Sequence, residues 1–216
     1  MKFKGILFDL DGTLIDTSNL IIRSFQHTFD LHYRRYLSAE EIYDFFGKPL
    51  KAAMEYYGPD KVDDLIKTYR EFNLAHHDQL TTGFAGVPET IQKLHNAGVL
   101  MAIVTSKTKR TAIRGLKLFD MDKHFPIVIG HEECQKHKPD PEPVRLALTQ
   151  LNLEPAECLM VGDSPFDLAS ARTAGVKTAA VRWTQIAWDK LLAEQPDYIL
   201  NTIEDLLTVC ELKKIR

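Results

Sequence analysis

Two acids close the first apolar run of the chain, where Gly5-Ile6-Leu7-Phe8 leads into Asp9-Leu10-Asp11-Gly12-Thr13. A carboxylate at the end of a buried run costs stability unless a cation or hydrogen-bond donors compensate it. Comparable runs end on further reactive groups: Val99–Val104 on Thr105-Ser106, and Cys158–Val161 on Gly162-Asp163-Ser164-Pro165-Phe166-Asp167. Lys138 stands in Lys-Pro-Asp-Pro-Glu-Pro, ahead of the helical stretch that precedes Cys158. Gathered carboxylates repel one another and raise one another's pKa, and a hard, oxygen-preferring cation is their natural counter-charge. Mg²⁺ is the expected ion. With a lysine and hydroxyl donors beside it, such a site suits a phosphoryl group, whose transfer needs positioning and charge neutralisation above all. A carboxylate can itself attack phosphorus to give an aspartyl-phosphate. Two acids two residues apart, on a turn that Gly12 allows, would supply nucleophile and acid/base from one loop.

These groups meet only if the runs that carry them are strands of one sheet. Lys4–Asp9, Val99–Val104, Pro126–Ile129, Cys158–Val161 and Lys177–Val181 read as buried strands. Helix-spaced residues separate them, such as Val144/Ala147/Leu148/Leu151 and Ile203/Leu206/Leu207/Cys210. The alternation predicts an α/β fold with a doubly wound parallel sheet, in which ligands bind at the carboxyl ends of the strands. Helix starts are marked by Pro88-Glu89, Asp140-Pro141 and Ser164-Pro165. From Asp16 to Thr82 the alternation breaks: Ile21/Phe25/Phe29 and Val62/Leu65/Ile66/Tyr69 are helix-spaced with no β-rich run between them. The expected organisation is therefore a core from residues 1–15 and 84–216, with an all-helical cap inserted at 16–83. Hinged beside the first strand, this insertion can close over the strand's end.

A chain of 216 residues, 44% hydrophobic and 26% charged, has the composition of an ordinary globular core with an insertion. Its net charge of −3 provides no attraction to nucleic acid or to an anionic membrane surface, so neither is an expected partner. Cys134, Cys158 and Cys210 lack CxxC spacing, which points away from a disulfide framework or a zinc site and towards a reducing compartment. No apolar run approaches spanning length. A cytoplasmic location is expected.

Taken together, Asp-Leu-Asp-Gly-Thr, the apolar run ending in Thr-Ser, Lys-Pro, and Gly-Asp-x₃-Asp resemble, in that order, the motifs of the haloacid dehalogenase (HAD) superfamily of phosphohydrolases. The resemblance covers the whole chain, and the helical stretch is similar to that family's C1-type cap. It implies that Asp9 is the nucleophile and Asp11 the general acid, later the base for water. It further implies that Thr105 and the Ser106 N–H hold phosphoryl oxygens, that Lys138 neutralises them, and that Asp9, the Asp11 carbonyl and Asp163 bind Mg²⁺. Tyr69–Asp78 (YREFNLAHHD), Lys138–Val144 (KPDPEPV), Leu159–Ser164 (LMVGDS) and Ala180–Trp183 (AVRW) resemble the phosphoglycolate-phosphatase group and, within it, the HAD-type inorganic pyrophosphatases. The implied partner is a small phosphorylated substrate, pyrophosphate first, with phosphoglycolate, a nucleotide or a sugar phosphate as alternatives.

Plainer roles compete for several of these residues. Ser164-x-x-Asp167 is also a capping box, which leaves Asp167 open between a helix cap or supporting residue and a direct metal ligand, and it is not counted among the ligands. Thr105-Ser106 alone would read as a helix start. Lys138 and Lys48 alone would read as solvated lysines. Lys48, in the turn Gly47-Lys48-Pro49, is also the cap residue expected to meet a substrate anion. His76 and His77 are adjacent and lack ligand spacing, so a cap-helix surface or packing role is expected of them rather than substrate contact. A phospho-acceptor receiver domain also combines acids, a hydroxyl, a lysine and Mg²⁺ on a doubly wound sheet. It needs neither Asp-Leu-Asp-Gly-Thr at the first strand nor a helical insertion.

Overall fold

A computed structural model describes residues 1–212. The strands are β1 (Gly5–Phe8), β2 (Ile15–Asp16), β3 (Thr82–Gly83), β4 (Leu100–Val104), β5 (Ile127–Ile129), β6 (Cys158–Gly162), β7 (Lys177–Val181) and β8 (Tyr198–Leu200). The helices are α1 (Ser18–Tyr33), α2 (Ala39–Tyr43), α3 (Leu50–Tyr57), α4 (Val62–Leu80), α5 (Val87–Asn96), α6 (Lys109–Lys117), α7 (Glu142–Leu151), α8 (Pro165–Thr173), α9 (Trp188–Ala193) and α10 (Asp205–Val209).

Six strands form one sheet in the order β5-β4-β1-β6-β7-β8, every neighbouring pair parallel. The two-residue pleat divides their side chains between two buried faces. Phe8, Ile103, Leu159 and Val161 pack with Ile91 of α5, Leu116 of α6 and Leu206 of α10. Leu7, Val104 and Met160 pack with Val144 and Leu148 of α7 and Ala171 of α8. The expected doubly wound parallel sheet is the one observed. β8 went unanticipated, since Tyr198-Ile199-Leu200 is a three-residue run at the sheet edge.

β1 lies between β4 and β6, with Phe8 in register with Ile103 and Val161. Strand order reverses there, and the crevice at such a switch point is where open α/β sheets bind ligands. Asp9 leaves the sheet between the loops after β4 and β6.

Helices α1 to α4 bury their apolar faces on one another, around Phe25, Phe29, Leu37, Ile42, Met54 and Leu65. The ends of this stretch are not helical. Ile15 pairs with Gly83 and Asp16 with Thr82 in the antiparallel ribbon β2/β3, so both chain crossings into the helical unit are tied together two residues at a time. Cys158 and Cys210 are fully buried, as a core role requires.

Candidate active site

The segment after β1 turns sharply because the amides of Thr13, Leu14 and Ile15 all donate to the Leu10 carbonyl. Gly12 holds φ at +82°, and a Cβ there would lie 2.3 Å from Asp163 Oδ2. Both the left-handed backbone and the lack of room require glycine. The turn brings the β1 and β6 acids together: Asp9, Asp163 and Asp167 each offer a carboxylate oxygen within 4.8 Å of the others, and all three are buried.

Lys138 enters this cluster from the loop before α7. Its Nζ donates to Asp9 Oδ1 at 2.7 Å, to Asp167 Oδ1 at 2.6 Å and to the Val104 carbonyl at 3.0 Å. Burial works against its charge, yet Asp167 and Asp9 outweigh that and hold its pKa above the ordinary value. Asp167 has the capping role and supports Lys138 besides. Its Oδ2 accepts from the Ser164 N–H and Oγ–H, closing the capping box of α8, while its Oδ1 accepts from Lys138.

One lysine does not neutralise three buried carboxylates. Burial, with Asp167 adding to it, pushes Asp9 up to about 7 despite Lys138. Burial and the neighbouring Asp9 raise Asp163 well above the carboxylate range. Among the described residues, no group donates to Asp9 Oδ2 or to the Asp11 carbonyl. A site of hard oxygen donors with excess negative charge and free lone pairs fits a divalent cation.

The cap hinge and the β4 loop hold Asp11. Thr17 Oγ1 donates to Asp11 Oδ1 at 2.8 Å, and Lys107 Nζ donates to the same oxygen at 2.7 Å. Neither residue was anticipated; the signal for Lys107 was its place directly after Thr105-Ser106. Thr184, on the loop after β7, donates from Oγ1 to the Asp163 carbonyl at 2.9 Å, and nothing in its local sequence marks it. Thr105 is buried, and its Oγ1 accepts from the Lys107 N–H. The helix start read at Thr105-Ser106 belongs instead to Thr108, whose side chain caps α6.

The structure brings Asp9, Asp11, Thr105, Ser106, Lys138, Asp163 and Asp167 to one cleft of about 450 Å³ beneath the helical unit. Lys48 is on its lining, with Nζ 4.6 Å from the centre of the Phe45 ring. His77 is buried at the base of α4, where burial lowers its pKa, and His76 stacks on Phe72; of the surface and packing roles expected, both take packing.

Residues 6–181 match the family model of haloacid dehalogenase-like hydrolases. The chain belongs to this family. It is 43% identical over 209 residues to pyrophosphatase PpaX of Anoxybacillus flavithermus, covering 97% of each chain. It is 39% identical over 213 residues to pyrophosphatase PpaX of Halalkalibacterium halodurans, covering 99% of each. Among solved structures, a haloacid dehalogenase-like family hydrolase from Streptococcus pneumoniae superposes with a TM-score of 0.88 at 26% identity, over 97% of this chain and 99% of that one. This HAD hydrolase is thus an enzyme of the phosphatase type, acting on a small phosphorylated substrate. The receiver-domain reading falls with that assignment. No helix among the described residues is long and apolar enough to cross a membrane.

Proposed function

We propose that this HAD hydrolase cleaves inorganic pyrophosphate through an aspartyl-phosphate on Asp9, with Mg²⁺ as cofactor. The observation that carries the reading is the charge of the cleft. Lys48, Lys51, Arg70, Lys107, Arg110 and Lys138 line it against Asp9, Asp11, Asp163 and Asp167, so cationic groups outnumber the acids even before a metal is counted. A substrate with anionic oxygens at both ends uses this surplus; one with a single phosphoryl group leaves part of it idle. The similarity to PpaX pyrophosphatases over nearly the full chain supports the same substrate.

Asp9 Oδ attacks phosphorus, and the bond to the leaving oxygen breaks. Asp11, oriented by Thr17 and Lys107, gives that oxygen a proton where it needs one, then takes a proton from the water that hydrolyses the aspartyl-phosphate. Thr105, the Ser106 N–H and Lys138 hold the transferred oxygens. Asp9, the Asp11 carbonyl and Asp163 would hold Mg²⁺, which when bound supplies charge neutralisation for the phosphoryl group. Asp167, with both oxygens already accepting hydrogen bonds, positions Lys138. The helical unit at 16–83 serves as the cap, and Lys48 meets the distal anion.

A substrate panel at fixed Mg²⁺ tests the reading, with pyrophosphate, 2-phosphoglycolate and nucleoside monophosphates compared by kcat/KM. Pyrophosphate should lead. A lead for phosphoglycolate would move the assignment to that class, and turnover retained by Asp9→Asn would remove the covalent route.

A further inference from the structure

The loop after β7 reaches the acid cluster at two points, although none of its side chains takes part in the reaction described above. Its first residue is still part of the sheet, since the Arg182 N–H donates to the Leu200 carbonyl of β8 at 2.9 Å. The loop thus starts two strands away from β1. Trp183 spans that gap: its Nε1–H donates to the Thr13 carbonyl at 3.2 Å, across 170 residues of sequence. The indole is held from behind, packed on the core with its ring centre 6.0 Å from that of Phe84, the residue after β3. Thr13 lies two residues beyond Asp11, whose carbonyl is one of the groups assigned to Mg²⁺.

Thr184 grips the opposite side. Its Oγ1 lies 2.9 Å from the Asp163 carbonyl and 3.3 Å from Asp163 Oδ2, and it accepts from the Ile186 N–H at 3.0 Å. A hydroxyl has a single hydrogen to donate. With the Ile186 N–H on the oxygen's lone pair, that hydrogen is directed at Asp163 and shared between its carbonyl and its carboxylate. Among the described residues no other group donates to this buried carboxylate. Oδ2 is confined between Thr184 and Gly12, where a Cβ would lie 2.3 Å away, and Oδ1 is left for a cation. A turn in the loop needs only the Ile186 bond, and filling the core needs only the indole ring. The remaining hydrogen bonds, from Trp183 Nε1 and from Thr184 Oγ1, end on the two segments that carry the Asp11 carbonyl and Asp163.

We propose that Trp183 and Thr184 are positioning residues of the metal site: as consecutive residues of one loop they fix the Asp11–Thr13 segment and the Asp163 carboxylate relative to each other, and so set the affinity for Mg²⁺. This rests on the assignment of the Asp11 carbonyl and Asp163 as metal-holding groups. It adds residues that touch neither metal nor substrate. Such supporting partners orient a ligand before the ion arrives, which saves the ion that work.

Mg²⁺ binding is measured without substrate, by calorimetric titration and by the Mg²⁺-induced rise in melting temperature. Thr184→Val keeps the side-chain shape and removes the donor, and its Mg²⁺ dissociation constant should rise about 10- to 100-fold, the scale on which a ligand's hydrogen-bond partners act. Thr184→Ser returns the hydroxyl and should return the affinity. Trp183→Phe keeps a ring against Phe84, removes the N–H and should weaken binding in the same direction; it decides alone if Thr184→Val does not fold. Wild-type affinity in either folded variant overturns the proposal. So does equal weakening in Thr184→Val and Thr184→Ser, which would trace the effect to loop packing. Asp163→Asn tests the underlying assignment separately. Wild-type Mg²⁺ affinity in Asp163→Asn would remove the metal site itself, whereas weakening there with unchanged binding in the Trp183 and Thr184 variants would remove only the positioning role.

Discussion

Lys138 Nζ lies 2.7 Å from Asp9 Oδ1, across 129 residues of sequence, and both side chains are buried. This contact joins the loop before α7 to the end of β1, and Asp167 completes it at 2.6 Å from the same ammonium. Lys138→Met leaves two buried carboxylates uncompensated, a loss of about 3–5 kcal/mol for a broken buried pair. The melting temperature should fall by roughly 10 °C. A melting temperature within two or so degrees of wild type would show that the lysine is not the cluster's main counter-charge.

Asp11 accepts from Thr17 and Lys107 on one oxygen, which orients it without assigning it a metal. If it serves as general acid, Asp11→Asn should slow alkyl phosphate hydrolysis by about 10²-fold or more, with a smaller loss for pyrophosphate, whose leaving group needs less protonation. Steady-state kinetics on both substrates decide this. Equal losses argue against the acid role.

Gly12→Ala places a methyl group 2.3 Å from Asp163 Oδ2 on a backbone at φ +82°. Asp163 must move, and with it one of the groups proposed to hold Mg²⁺. The variant should remain folded by circular dichroism yet need at least about 10-fold more Mg²⁺ for half-maximal activity, in line with the cost of disturbing a ligand's surroundings. An unaltered Mg²⁺ dependence would place the metal away from Asp163.

The pKa of Asp9 is raised to about 7 and that of Asp163 is raised as well, in both cases chiefly by burial. Their folded-state values lie above the unfolded value of about 3.9, so the folded chain binds more protons between the two. Their contribution to stability is full below the unfolded value and is lost as pH rises through about 7. His77 acts in the opposite sense, because its lowered pKa removes stability as pH falls below about 6.5. The Mg²⁺-induced rise in melting temperature cancels the His77 contribution and isolates the acids. It should be larger at pH 8, where the acids are ionised, than at pH 5. Equal rises at the two pH values would falsify the link between these acids and the metal.

Lys48 lies on the cleft lining with no carboxylate partner among the described residues. One charge-assisted hydrogen bond to a substrate anion is worth roughly 1.5–3 kcal/mol, so Lys48→Ala should lower kcat/KM for pyrophosphate by about 10- to 150-fold. For p-nitrophenyl phosphate, which lacks a second anion, the loss should be several-fold at most. Equal losses would assign Lys48 to the shared phosphoryl site or to cap folding.

What the sequence determined by itself was local in character. Apolar runs capped by Asp9, by Thr105-Ser106 and by Gly162-Asp163 marked strand ends and their reactive groups, because a buried strand and its polar exit are written in consecutive residues. The helical spacing of Ile21/Phe25/Phe29 and of Val62/Leu65/Ile66/Tyr69 marked the inserted unit for the same reason. The tertiary structure decided which strands are neighbours, and so which reactive groups meet. Placing β1 between β4 and β6 sets Asp9 beside Lys138 and Asp163, and parallel pairing over more than ninety residues leaves no local trace. Lys107 on Asp11 was hidden for that reason, whereas Thr17 on Asp11 and Thr184 on the Asp163 carbonyl lie closer in sequence and are ordinary polar residues until the intervening turns fold. Asp167 shows both levels in one side chain. Its capping box was legible three residues away at Ser164, while its other oxygen found Lys138 only when the sheet closed, since a hydrogen bond depends on distance in space and not along the chain.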